Sequence, residues 1–179
     1  MITKMLRGGL VASFLLAAAG AAIAQGKTAA PAAAPRQDPR VATRLDSLSY
    51  RYTLTSDNDY KLIPIQTGDG ARTQLVYVNS NTESFGALEI REVLAPTMLL
   101  ATPVSQAIAT RLLAENERAK LGAFRTVAVR SGPNAGKQLV LFAVQIPADS
   151  DAETLRLAIR SAILFADRIE KEYTGKDDY

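Results

Sequence analysis

Four glutamates, Glu89, Glu92, Glu115 and Glu117, carry most of the chemical potential of this 179-residue chain, which contains neither Cys nor His. Two carboxylates held roughly 5 to 10 Å apart in a cleft that raises one pKa can run acid-base hydrolysis of the glycosidase kind. These four sit instead at the spacings of solvated faces, and the expectation is that none is catalytic. The missing residue types remove disulfides, thiol nucleophiles, iron-sulfur clusters, c-type haem, the usual zinc sites and every Ser-His or Cys-His arrangement. No catalytic residue, metal ligand or cofactor site is therefore assigned.

Other stretches imitate sites without completing them. Gly132 to Gln138 reads GPNAGKQ, a phosphate-loop likeness with three residues rather than four between its glycines. Gln138 stands where Ser or Thr would hold magnesium, and a strand rather than a helix follows, so a hairpin loop is the expected structure. Asp149-Ser150-Asp151-Ala152-Glu153 starts like a calcium loop, but Thr154 and Arg160 replace the Gly and Glu that turn and close such a loop. Asp57 to Asp59 fails the same test, with Leu62 at its sixth position. No Ser lies three residues ahead of a Lys within an expected helix. Asn116, mid-helix between Glu115 and Glu117, either contacts a partner, bonds across to a loop, or is a plain surface residue.

The elements that hold these residues follow from patterning. The first 24 residues combine Lys4 and Arg7, an apolar run from Leu10 to Ala22, and Ala22-Ile23-Ala24 before Gln25. This is a secretory leader cut after Ala24, and its alanine-rich core falls short of a stable membrane span. Export to the periplasm or the medium is expected, with no stable membrane insertion after cleavage. Loss of the two cations lowers the formal charge from +3 to about +1. Without a run of Lys and Arg there is no footprint for nucleic acid. Residues 25–38, rich in Ala and Pro, read as a disordered linker.

From residue 39 to 174 the texture is that of one α+β domain, and the 47% hydrophobic content supports a core at this size. Asp38-Pro39 caps a helix to Leu48. Strands are expected over Tyr50–Leu54, Tyr60–Gln66, Thr73–Asn79 and Ala87–Leu94, the middle two joined by a turn at Thr67-Gly68-Asp69-Gly70. Leu75 to Val78 has no polar side and reads as a strand covered on both faces. Leu88-Glu89-Ile90-Arg91 alternates and reads as a strand with one side to water.

A helix over Pro103–Leu121 ends at Gly122, a hairpin pairs Phe124–Arg130 with Gln138–Ile146, and Ser150-Asp151-Ala152-Glu153 reads as the capping box of a last helix reaching Tyr173. Leu157, Leu164 and Phe165 widen that helix's apolar arc beyond one sheet face, an excess that could meet another helix or a second copy. Residues 175–179 read as a frayed tail. The fold class is α+β: an antiparallel sheet of five to six strands with three helices.

Arg111-Leu112-Leu113-Ala114-Glu115-Asn116 with Lys120-Leu121-Gly122-Ala123-Phe124 resembles the bacterial YbjN-domain family. Leu75 to Ser80, Leu88 to Val93, Gln145 to Asp149, Ala166 to Glu170 and Thr174 to Tyr179 agree with it. The resemblance implies a fold like that of type III secretion chaperones, homodimers that clasp a client segment, and a family described as regulators of sensory transduction. It transfers no site residues. The expected function is an exported, non-enzymatic protein-binding or chaperone-like module with a protein partner and a homodimeric state. The rivals are an envelope carrier of small ligands or lipids, which needs a closed apolar cavity, and a carboxylate hydrolase.

Overall fold

A computed structural model describes residues 36–179, apart from Gly68, Asp69 and Ala71. The expected leader and nearly all of the linker lie outside the described residues, as do Gly68 and Asp69 of the expected turn.

The described chain runs α1 (Pro39–Ser47), β1 (Tyr52–Leu54), β2 (Tyr60–Leu62), β3 (Ile65–Thr67), β4 (Arg72–Gln74), β5 (Tyr77–Phe85), β6 (Leu88–Leu100), α2 (Gln106–Arg118), β7 (Ala123–Ala128), β8 (Gln138–Pro147) and α3 (Ala152–Thr174). Six strands form one antiparallel sheet in the order β1-β2-β5-β6-β8-β7, and β3 pairs with β4 in a separate ribbon. The class is α+β, as the alternation of tight turns and helical periods implies.

Local chemistry explains most boundaries. Asp38 accepts a bond from the Arg40 amide, and Pro39 opens α1 where no amide proton is needed. Pro64 lies in the gap between β2 and β3, so the single strand expected over Tyr60–Gln66 is two: β2 joins the large sheet and β3 the ribbon. Thr73–Asn79 likewise divides, with Leu75 and Val76 lying between β4 and β5. β6 continues to Leu100, past the expected end at Leu94. Pro96 is accommodated by a register shift between Pro96 and Met98, and its carbonyl accepts from the Gln74 side chain at 2.9 Å.

The helices need three corrections. α2 starts at Gln106, not Pro103, because the Ser105 hydroxyl caps the Ile108 amide, and it stops at Arg118. Gly122 is therefore no helix cap. Its φ of +86° lets the chain lie against β8, where an added Cβ would be 2.5 Å from the Ala143 carbonyl oxygen. α3 is capped by Asp151, whose carboxylate accepts from the Thr154 amide at 2.7 Å, while Ser150 donates to the Pro147 carbonyl.

The core lies between one face of the sheet and α3, flanked by α1 and α2. Val93, Phe142, Val144, Ile159, Ala162 and Ile169 fill it. Phe165 belongs to this core too, 8% exposed and stacked on Phe142 at 4.9 Å, so it is not part of a free surface. Only Leu157 and Leu164 of the expected excess stay exposed.

The tail after Gly175 is tied down rather than frayed. Glu170 accepts from the backbone amides of Asp178 and Tyr179, Asp177 accepts from the Thr73 amide, and Arg72 donates to the Lys176 carbonyl.

Candidate functional site

Strand geometry sends alternate side chains to opposite faces, and the pairing registers sort them here without ambiguity. Val78, Arg91, Val93, Ala95, Phe142, Val144 and Ile146 lie on the face that α3 covers. Tyr77, Ile90, Glu92, Leu94, Pro96 and, on β8, Leu139, Leu141 and Ala143 lie on the other, where no helix of the described residues packs.

That open face mixes apolar side chains with Lys61, opposite Tyr77, and Glu83, opposite Ile90. Among the described residues its one ion pair joins Arg125 and Glu92 through two bonds of 2.6 Å, with Gln145 also donating to Glu92. At one end the β5–β6 hairpin projects past β2, whose pairing with β5 stops at Val78, and carries Phe85 at its tip with 79% of its surface exposed. Leu88, opposite Phe85 in the register, is exposed as well. At the other end Val127 of the edge strand β7 is exposed beside Leu139.

The strand read as alternating does alternate, but inversely. Arg91 is 2% exposed on the helix side, and Ile90 is half-buried on the open side. Arg91 can sit there because its guanidinium meets the Asp38 carboxylate and donates to the carbonyls of Asn79 and Ser80. A buried charge survives when paired and hydrogen-bonded. Leu75 and Tyr77, expected on a strand covered on both faces, are only half-buried.

The carboxylates singled out from the sequence are engaged as follows. Glu89 binds Arg40 through two bonds of 2.7 and 2.8 Å and accepts from Thr82, and these partners, Arg40 first, pull its pKa down to about 2. Glu115 is fully buried between α2 and α3. Burial alone would raise its pKa, but Arg111 and Arg168 outweigh that and hold it below the usual carboxylate range. Glu117 is exposed. The sequence reading missed two groups: Asp59, raised mainly by burial while accepting from the Ser80 amide, and the fully buried Glu170, raised by burial against the pull of its amide partners and Arg72. Their flanking residues give no sign of this, because the burial comes from chain segments about 8 to 98 residues away.

Asn116 bonds β7 rather than solvent. Its side chain accepts from the Phe124 amide at 2.6 Å and donates to the Phe124 carbonyl, so it occupies part of the outer edge of that strand. The GPNAGKQ loop is a hairpin turn in which the Lys137 ammonium donates to Asn134. Among the described residues no three His, Cys, Asp or Glu side chains are grouped to hold a metal ion. No helix among them is long and apolar enough to cross a membrane.

The described residues thus leave one sheet face without a covering helix, partly apolar and with its charges balanced, and a projecting hairpin whose β5 outer edge has no neighbouring strand beyond Val78. Compared with family models, curated proteins and solved structures, the chain matches none.

Proposed function

We propose that this domain is an exported, non-enzymatic, chaperone-like binding module of the YbjN-domain type, which holds an extended apolar segment of a protein partner against the open face of its sheet. The observation that carries the reading is the open face itself. Antiparallel sheets normally turn one polar face to water, whereas this one turns the half-buried Ile90, Leu94 and Leu139 and the exposed Val127 that way, with Phe85 and Leu88 at its end.

The occupant follows from two features. The outer backbone edge of β5 from Asn81 to Phe85 has no strand beside it, which suits an extended segment joining by strand addition. Arg125 and Glu92 neutralise each other, and Lys61 and Glu83, opposite Tyr77 and Ile90, carry opposite signs, so the face has no net charge and the segment that fits is uncharged and apolar. The leader supports an envelope location.

Nuclear magnetic resonance titration of the protein with an uncharged, extended apolar peptide tests this. The expected result is shifts at Asn81 to Leu94 and Leu139 to Ala143, lost when Ile90 and Leu139 are both changed to Lys. Shifts confined to the helices, or none at millimolar peptide, would overturn it. Concentration-dependent pairing of the protein through the same face would replace the peptide with a second copy.

A further inference from the structure

On the opposite side of the molecule a groove of about 470 Å³ runs along α3, beside the β3–β4 ribbon and the end of α1. Tyr50, Ile65, Ile163 and Leu164 supply its apolar walls, and Arg156 and Arg160 stand at the end nearest the start of α3. At the far end Asp167 is taken by Arg72 at 2.6 Å, and Thr67, the register partner of Arg72, has a buried hydroxyl with no partner.

The charges are unequal in what they leave over. Arg156 is paired with Glu153. Arg160 has no ion pair or hydrogen bond with any described residue, so its guanidinium fork faces the groove uncompensated. At the helical rise of 1.5 Å per residue, Arg160 and Asp167 are separated by about 10 Å of apolar trough. We infer that this groove binds a free, medium-chain apolar monocarboxylate. The carboxylate meets the fork of Arg160, and the chain lies along Ile163 and Leu164 against Tyr50 and Ile65. A planar guanidinium matches a carboxylate through two parallel bonds, which an ammonium or a hydroxyl would not reproduce. The volume is within the range of pockets that enclose small ligands.

A second groove of about 470 Å³ provides an internal comparison. It is lined by Met98, Leu100, Ile108, Tyr173 and Tyr179 but carries the Asp178 carboxylate, which repels an anion. Size alone therefore does not select the site; the free cation does. This site is independent of the open sheet face.

The test is calorimetric and resonance titration of the intact protein with decanoate below its micelle concentration, with decanol as the uncharged comparator. Decanoate should shift Ile65, Thr67, Ile163 and Leu164. Decanol should bind at least about tenfold more weakly, and Arg160→Ala should weaken decanoate by about tenfold without changing the melting temperature. Arg160 makes no structural bond, so this variant is not expected to unfold the domain. Equal binding of decanol, indifference to Arg160→Ala, or shifts around Met98 and Ile108 instead would overturn the proposal. So would binding to phosphatidylglycerol vesicles without binding to free decanoate.

Discussion

The two faces of the six-stranded sheet are built from the same strands, residue by residue in alternation, yet they differ in what their side chains are for. On the covered face even the charged residue is satisfied: Arg91 meets Asp38 and two carbonyls. Phe142 is held edge-on by Phe124 and face-on by Phe165, over which the Arg168 guanidinium sits at 5.4 Å. On the open face apolar residues share the surface with Lys61, Glu83, Glu92 and Arg125, and although Pro96, Leu141 and Ala143 are buried by their neighbours, no helix of the described chain packs over them. The difference teaches that apolar content alone does not mark the core of this protein. What marks it is apolar content together with satisfied polar groups.

The sharpest way to break the comparison is to remove volume from the covered side. Phe142→Ala deletes the ring between Phe124 and Phe165 and should destabilise the fold by about 4 kcal/mol, read from urea unfolding. Arg91→Met comes next. It leaves the Asp38 carboxylate beside apolar surroundings, with Arg40 as its remaining cation, and should cost about 3 kcal/mol. If either change proved neutral, the covered face would not be the stabilising one.

The buried glutamates sharpen the contrast through pH. Glu115 has its folded pKa lowered by Arg111 and Arg168. Its contribution is therefore complete above the ordinary carboxylate value and is lost as pH falls through the folded value. Glu115→Gln should cost about 2 kcal/mol at neutral pH, since its arginine partners are partly exposed, and the cost should vanish in acid. Glu170 behaves oppositely. Its folded pKa is raised, so its contribution is present below the ordinary value and is lost as pH rises through the folded one. Glu170→Gln keeps an oxygen for the Asp178 and Tyr179 amides, so its cost relative to wild type should shrink as pH rises above the ordinary carboxylate value, read from unfolding at a series of pH values. Parallel pH profiles for the two variants would contradict this assignment.

Much of the fold was legible because its signals are local. Asp38-Pro39 opens α1, apolar periodicity marks α3, and the Ser131 to Gly136 turn joins β7 and β8. What was not legible depends on distant partners. Arg91 reads as a solvent residue until Asp38, 53 positions earlier in the chain, is brought beside it. The tail reads as frayed until Glu170 and Arg72 are seen to bind it. The strand reads as ending at Leu94, because the Gln74 side chain that serves the Pro96 carbonyl farther along it is 22 residues away. Phe165 reads as surplus because helical periodicity gives the width of an apolar arc but not how much of it the sheet consumes. The open face was the hardest to see, since Leu88 and Ile90 look like inward residues in any strand with one buried side.

The smallest effect on stability should carry the largest effect on binding. Phe85 and Leu88 project from the β5–β6 hairpin and pack against little else, so Phe85→Ser with Leu88→Ser should change unfolding free energy by no more than about 0.5 kcal/mol. If the open face holds an apolar segment, the same pair should weaken an apolar peptide by about tenfold, because a large aromatic anchor dominates such contacts. Leu157→Ser with Leu164→Ser removes similar exposed apolar area from α3 and should leave peptide affinity unchanged. A fall with the hairpin pair alone ties binding to the open face. A fall with the helix pair alone would move the peptide site to the covered side, and the two faces would then differ in packing but not in function.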